Sequence, residues 1–449
     1  MYQRRSNTDT PTKDDGGHVG KILRFHLPLG LTAVLMATTF NIINASLART
    51  PDPQTAFAAF ALGQTVTNMF GSPVWISRQM LLAFNNHRGS IRSAVRVAWG
   101  LALLVFAWLA LMAFTPLGFT IYVGVFGAPE ALFPEIVGVI RVCLALPFTH
   151  LARAWAQAIL MRQKRTELMT AAMVIRIVAM FALTLTLPQV GWLGSAALGS
   201  FIWMAGMAVE GISCIGFALP MRHRTFDETI RDQPAASEKE CILFILPMIL
   251  QGVLLNLTLP AINAGLARTL QPERNLAIFQ VSWSVAFPFI AFIYNNISQT
   301  VLVLLESPKW WRALRRTTLW LSTLDSVALV LLVLSGGASL FLTQVIGIDP
   351  GLLPDVQRVV LILALTPFLG GVVELRMGIA LRRRRTAMVG IGKTLDVFTL
   401  ILLVFTLPLV FPGIGALAGP IAFAGGMLLN YVLLHRFISE PFLESTRWV

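Results

Sequence analysis

Residues 43–50 read "INASLART", and residues 262–269 read "INAGLART". Seven of the eight letters agree across a separation of 219 positions. Extending the comparison to 25–50 against 244–269 gives 14 identities in 26 positions without a gap. Among them are Phe25/Phe244, Pro28/Pro247, Asn44/Asn263 and Arg49/Arg268. Further along the separation becomes 220: "LPF" at 146–148 faces "TPF" at 366–368, Thr166 and Thr386 each follow a basic run, and "TLP" recurs at 186–188 and 406–408. Apolar composition alone would not hold register through prolines and loops. The chain is an internal duplication.

The repeated phrase sits in a chain of 449 residues that is 56% hydrophobic and only 13% charged. Its mean hydropathy is +0.72. Soluble domains carry about 25% charged residues, so this composition suits a chain whose solvent is lipid. About 20 apolar residues span a bilayer as a helix, and about twelve such runs occur. They are 23–48, 56–84, 94–120, 132–160, 168–188 and 194–220, then 241–267, 276–305, 317–347, 355–381, 387–410 and 415–436. Barrel strands need only about ten alternating residues, and these runs are far longer. The expected fold is an all-α polytopic membrane protein.

A formal net charge of +13 invites a nucleic-acid reading, but the charge is distributed by topology. Arg88, Arg92 and Arg96, then Arg162, Lys164 and Arg165, then Arg222 and Arg224 fall in alternate loops. Lys309, Arg312, Arg315 and Arg316 follow, and then the run 382–385. The intervening loops hold little beyond Arg49, Arg268 and Arg274. This asymmetry places both termini in the cytoplasm and the chain in a cell membrane. Each repeat holds an even number of helices, so the two run parallel, related by an axis along the membrane normal. The expected organisation is a disordered cytoplasmic tail at 1–20, a six-helix lobe at 21–220, a polar cytoplasmic linker at 221–240 and a second six-helix lobe at 241–449. The tail lacks the apolar core of a signal peptide.

Polar groups in lipid cost several kilocalories per mole unless they find partners or water, so their placement is informative. In the first helix Asn41 and Asn44 follow Thr38 at three-residue spacing, and the seventh answers with Asn256, Pro260 and Asn263. The second carries Gln64, Asn68, Gly71, Trp75 and Arg78 along one stripe, and the eighth carries Gln280, Ser284, Tyr294, Asn295 and Ser298. Such stripes face protein or a wet cavity. Simple glue between helices is the competing account. Concentration of the stripes in four helices favours a cavity, as do Pro28, Pro73, Pro247, Pro260 and Pro288 in those same helices.

Ionisable residues within or near the spans are Arg78, Arg141, Arg153, Arg176, Glu210, Asp325, Glu374, Arg376, Lys393 and Asp396. Lys393 and Asp396 share one helical face, and Arg176 is the repeat partner of Asp396, which makes these three a candidate ion pair or coupling set. Arg153, Glu374 and Arg376 lie near a membrane boundary and could snorkel. Arg78, on a polar stripe, is the stronger substrate contact, and a positive lining would favour an anionic solute. Cys143, Cys214 and Cys241 have neither disulfide nor metal spacing, the histidines form no metal motif, and no phosphate-cradling glycine pattern occurs. No cofactor, no metal and no nucleic acid are expected, and the partners are a small molecule and the bilayer, with the chain as a monomer.

The opening "RFHLPLG" at 24–30, the twofold six-helix repeat and "LPAINAGLAR" at 259–268 resemble the multidrug/oligosaccharidyl-lipid/polysaccharide (MOP) exporter superfamily, which includes the MATE transporters. "ILRFHLPLGLT" at 22–32 and "CLALPFTHLARAWAQAIL" at 143–160 look most like its progressive ankylosis branch. The resemblance, over most of 23–436, implies a V-shaped bundle with helices 1, 2, 7 and 8 lining a cleft, and export of amphipathic or anionic organic molecules. Cation-coupled multidrug members carry a carboxylate in the first helix, whereas this one offers Asn41 and Asn44. Alternatives are a lipid-linked oligosaccharide flippase of the same superfamily, a major facilitator, an intramembrane transferase and a non-transporting receptor. The stretch "FNNHRGSIRSA" at 84–94 matches the major facilitator loop poorly, and neither a catalytic carboxylate or histidine nor a sizeable soluble loop marks an enzyme.

Overall fold

The computed structural model describes residues 15–84, 87–125, 128–187, 195–221, 235–294, 296–340, 342–343 and 350–438. The expected linker at 221–240 falls mostly at 222–234, outside the described residues, as does most of the expected tail.

The described chain is almost entirely helical. The first lobe comprises α1 (Asp15–Leu47), α2 (Pro53–Ala83), α3 (Arg88–Phe114), α4a (Phe133–Cys143) with α4b (Leu146–Arg162), α5 (Thr166–Thr186) and α6 (Ser195–Ala218). The second comprises α7 (Glu238–Leu266), α8a (Pro272–Ile293) with α8b (Asn296–Leu304), α9 (Pro308–Leu334), α10a (Leu353–Leu363) with α10b (Thr366–Arg382), α11 (Thr386–Val410) and α12 (Ala418–Phe437). Among the described residues, eleven spans are long and apolar enough to cross a bilayer. The 31-residue α2 falls short of that composition because it carries Gln64, Asn68, Arg78 and Gln79. The chain is a multi-pass membrane protein.

Three expectations shift. Residues 15–20, assigned to the tail, begin α1, where the His18 ring meets Trp310 edge-on at 4.6 Å. Helices 4, 8 and 10 are each broken, the first and last just before Pro147 and Pro367. Proline removes a donor and restricts the residue before it, so helices restart there. Helix 9 runs 308–334 rather than 317–347: Pro308 opens it, and Gly336, at φ +78°, turns the chain out of it.

Local chemistry sets the ends. Ser237 and Glu240 form a reciprocal capping box on α7, and Asp52 accepts from the Thr55 amide to start α2. The Pro28 carbonyl accepts from Thr32 and Thr170, each at 2.8 Å, and the Phe25 carbonyl from Thr166 at 2.8 Å. Hydroxyls of α5 thus supply donors to backbone around the proline of α1.

The duplication persists in the backbone. Lys164 and Arg384, 220 residues apart, both adopt positive φ, +57° and +55°. After each, the chain closes its helix with the same six-residue bond, Arg165 to Leu160 at 2.9 Å and Arg385 to Ala380 at 2.8 Å.

Two apolar cores result. One unites the first lobe with the basic-loop end of the second, through Phe25, Met80, Phe84, Phe244, Val301 and Trp310. The other holds Ile262, Phe279, Val333, Val356, Leu400 and Phe423, with no residue of the first lobe among its buried members. Polar bridges follow suit. His26 meets Thr300 at 3.2 Å, Arg96 meets Glu238 at 2.9 Å, and Lys164 meets Glu306 at 3.1 Å. The lobes join where the basic loops lie and part toward the other end, which gives the V shape.

Candidate functional site

The repeated phrase closes α1 and α7. Ala48 donates to the Asn44 carbonyl and Ala267 to the Asn263 carbonyl, both at 2.9 Å. The Thr50 and Thr269 hydroxyls donate to Leu47 and Leu266 at 2.7 and 2.6 Å. Each arginine leans on its own lobe. Arg49 donates to the Thr184 carbonyl of α5 at 3.4 Å, while Arg268 bonds the Ala264 carbonyl at 2.9 Å and lies 4.6 Å from the centre of the Phe405 ring on α11. The Asn44 side chain is exposed and that of Asn263 half-buried. They sit at the separated end of the lobes and do not meet.

The other stripe residues are unevenly placed. Asn41, Asn256 and Gln280 are exposed, Gln64 and Asn68 half-buried. Asn256 donates to the Gly252 carbonyl of its own helix at 2.9 Å, an arrangement that needs no neighbour. The Gln64 amide nitrogen is buried without a partner. Asn295 lies outside the described residues. Its neighbour Asn296 donates to the Ala291 carbonyl at 3.1 Å and the Phe292 carbonyl at 3.3 Å across the break in α8.

Deeper in the first lobe, charges gather around one carboxylate. Glu210 on α6 receives Arg153 of α4b at 3.0 Å and Arg176 of α5 at 2.8 Å, both on the same oxygen. Its other oxygen accepts from the Gln157 amide at 3.0 Å, and the Gln157 carbonyl accepts from Arg78 of α2 at 2.5 Å. The His150 ring stands 3.4 Å from Arg153. Arg153, Arg176, Gln157 and Glu210 are all buried, and Arg78 is half-buried. Arg153 therefore does not snorkel: it turns inward to the carboxylate.

The second lobe holds a differently charged group. Lys393 meets Asp396 at 2.7 Å within α11, and Tyr294 and Glu374 stand close enough to interact with Lys393. Arg376 reaches His435 of α12 at 2.9 Å. Arg176 and Asp396 occupy repeat-equivalent positions, but each pairs inside its own lobe. The equivalent of Glu210 is Asn430, whose side-chain oxygen is buried without a partner. Arg153, Arg176, Glu210 and Arg78 are all legible in the sequence as intramembrane charges, but not their convergence on Glu210 or the part of Gln157. The available signal was spacing: Arg153 and Gln157 are four apart on one face, beside Arg176 and Glu210, whose repeat partners are Asp396 and Asn430.

No family model matches the sequence, and no curated protein matches it. Solved structures do. A MOP superfamily transporter from Pyrococcus furiosus, described as having a binding pocket of reversed polarity, superposes with a TM-score of 0.70 at 15% identity, covering 95% of this chain and 97% of its own. The fold is that of the MATE transporters. An outward-facing multidrug resistance MATE transporter of the MOP superfamily matches with a TM-score of 0.70 at 16% identity, over 95% of this chain and 97% of the other. A MATE bound to MaD5 matches at 0.68 and 18%, with the same coverage. In this MATE fold the interlobe seam is formed by α1, α2 and α3 against α7, α8 and α9, and the exposed asparagines and glutamine lie on α1, α7 and α8.

Proposed function

We propose that the chain is a secondary active transporter that moves a small organic molecule, amphipathic or anionic, by alternating access between the two lobes. One observation carries this reading: the lobes share an apolar core at the basic-loop end, the other core has no first-lobe residue among its buried members, and the inner helices present polar positions at that other end. Asn41, Asn44, Asn256 and Gln280 are exposed there, with Gln64, Asn68 and Asn263 half-buried beside them. Water-filled clefts are where polar side chains at membrane depth are tolerated. Tyr294 and Arg78 extend this lining toward the closed end, and Asn295 is assigned to it from the sequence stripe alone.

The basic loops orient the closed end to the cytoplasm, so the cleft opens outward from a cell membrane, with the chain acting as a monomer. The short motifs shared with the progressive ankylosis branch support an anionic solute. With no acid in α1, transport runs by exchange or couples through Asp396 in the second lobe. Purified chain in sealed vesicles, loaded with a candidate organic anion, should exchange it for labelled anion outside. Under exchange, flux persists when proton and sodium gradients are collapsed, and complete loss of flux then rejects that mode. No flux of any organic solute under any gradient rejects the transporter reading.

A further inference from the structure

We propose that the arginine cluster of the first lobe is an oxyanion-binding site, which takes a carboxylate or phosphate group and keeps Glu210 as its resident counter-ion. The inference deepens the transporter reading by naming the chemistry and the place of recognition, and the substrate-class part of it rests on that reading.

Charge balance comes first. Arg78, Arg153 and Arg176 converge on Glu210 directly or through Gln157. Three guanidiniums against one carboxylate leave two positive charges uncompensated. Arg176 is 0% exposed, and a buried charge without its counter-charge costs several kilocalories per mole. The corresponding group in the second lobe carries no such positive excess, since Lys393 pairs with Asp396 and Glu374 stands close to it.

Donor accounting adds a second, independent observation. Glu210 already accepts from Arg153, Arg176 and Gln157, and Nε and Nη2 of Arg176 and Nε of Arg78 are buried with no acceptor in the protein. Unpaired buried donors are rare and costly. A planar oxyanion satisfies a guanidinium edge through two parallel bonds, the chemistry that Nε and Nη2 of Arg176 leave open. Chloride would supply no such fork.

Access is through α2. That helix packs on α4b in its own lobe and on α7 in the other, and Arg78, half-buried on it, is the member of the cluster that keeps exposed surface. An oxyanion bound there would sit between resident Glu210 and the seam, so its occupancy would be felt where the lobes meet.

The test uses the full chain in detergent, with radiolabelled succinate and inorganic phosphate as probes and chloride at equal ionic strength as control. Saturable binding of either oxyanion is expected, weakened about tenfold or more by Arg78→Gln, the loss of a charge-assisted bond, and abolished by Arg176→Gln. Removing the competing carboxylate in Glu210→Gln should tighten binding about tenfold, and added phosphate should restore the melting temperature that this variant loses. A purely structural cluster would give a destabilised Glu210→Gln that no oxyanion rescues. Should Arg176→Gln fail to fold, Arg78→Gln and Glu210→Gln carry the comparison. Arg358→Gln, the same charge change at an exposed site, should leave binding unaltered.

Phosphatidylcholine vesicles with and without phosphatidylglycerol separate the sources. Displacement of succinate by the anionic lipid alone assigns a headgroup site, and binding indifferent to lipid assigns a soluble one. No binding to wild type or Glu210→Gln, or an equal loss in Arg358→Gln, overturns the site. Binding without any flux leaves the site standing and removes the transporter reading, whereas flux without oxyanion binding does the reverse.

Discussion

Arg49 and Arg268 end two copies of one phrase, yet they use different chemistry to the same end. Arg49 bonds a carbonyl of α5, and Arg268 bonds its own helix and covers an aromatic ring of α11. Arg268→Ala should cost about 0.5–1 kcal/mol, the worth of an exposed cation–π contact, read by thermal unfolding. Asn44→Ala, at an exposed position, and Asn263→Ala, at a half-buried one with no side-chain bond among the described residues, should each stay within about 0.5 kcal/mol of wild type. If the asparagines gate the cleft, the pair will alter flux by more than about tenfold, roughly 1.4 kcal/mol in a barrier. Unchanged flux per folded molecule would make the phrase a helix-end device alone. Glu210→Ala belongs to another class: it strands two buried guanidiniums and should cost about 3–5 kcal/mol.

Between elements, the positive-φ residues Lys164 and Arg384 work as a pseudo-twofold pair. Lys164, at the turn after α4b, crosses to Glu306 and lies 5.7 Å from the centre of the Trp310 ring in the second lobe. Arg384, at the turn after α10b, crosses to the first lobe, with its guanidinium 4.2 Å from the centre of the Phe84 ring and a bond to the Ala83 carbonyl at 3.5 Å. If the lobes alternate as proposed, both clasps must release for the basic end to open. An exposed pair is worth about 0.2–1 kcal/mol, so the double variant Lys164→Gln, Arg384→Gln should shift the closed–open balance about two- to tenfold. A cysteine replacing buried Thr300 reports the shift through faster labelling from the basic side, and an unchanged rate would remove the clasps from the gate. Helix packing is tighter than it is polar. A methyl group on Gly426 would meet the Asp396 carbonyl and carboxylate at 2.5 Å, so Gly426→Ala should destabilise by about 1–3 kcal/mol, the usual cost of overpacking. A neutral result would mean that α11 and α12 separate freely.

Over the whole molecule, the V shape makes accessibility the decisive measurement. Cysteines at Asn41, Asn256 and Gln280 should react with a charged, water-soluble reagent from the open side, because a wet cleft ionises the thiol and lipid does not. Val178, 64% exposed in α5, serves as the lipid-facing comparison and should stay unlabelled. Equal protection at all four positions would place the stripes in lipid. Orientation is tested in intact cells with cysteines at Ser237 and Pro129: an impermeant reagent should miss the first and reach the second, and the reverse pattern inverts the topology.

Periodicity and duplication were enough for helices, parallel repeats and a bilayer, because apolar runs of this length admit no other backbone solution in lipid. The repeat offset also matched the basic runs before Thr166 and Thr386, and the backbone put equivalent positive-φ turns there, at Lys164 and Arg384. What sequence could not reveal was which charges meet. Arg176 was matched to Asp396 as a repeat partner, but repeat partners occupy equivalent places in different lobes and so do not touch. Gln157, an unremarkable amide in "RAWAQ", is the bridge between Arg78 and Glu210 only because α4b passes between α2 and α6. Asn256, by contrast, looked like cavity lining and spends its donor on its own helix. Hydrogen bonding and ion pairing act over about 3 Å, a scale that helix packing sets and one-dimensional spacing does not. The sequence by itself therefore determined a helical membrane chain built as two parallel repeats, while the breaks in helices 4, 8 and 10 appeared only in the structure. The opening of the lobes at one end, and the gathering of three arginines on one carboxylate, were decided by the tertiary structure alone.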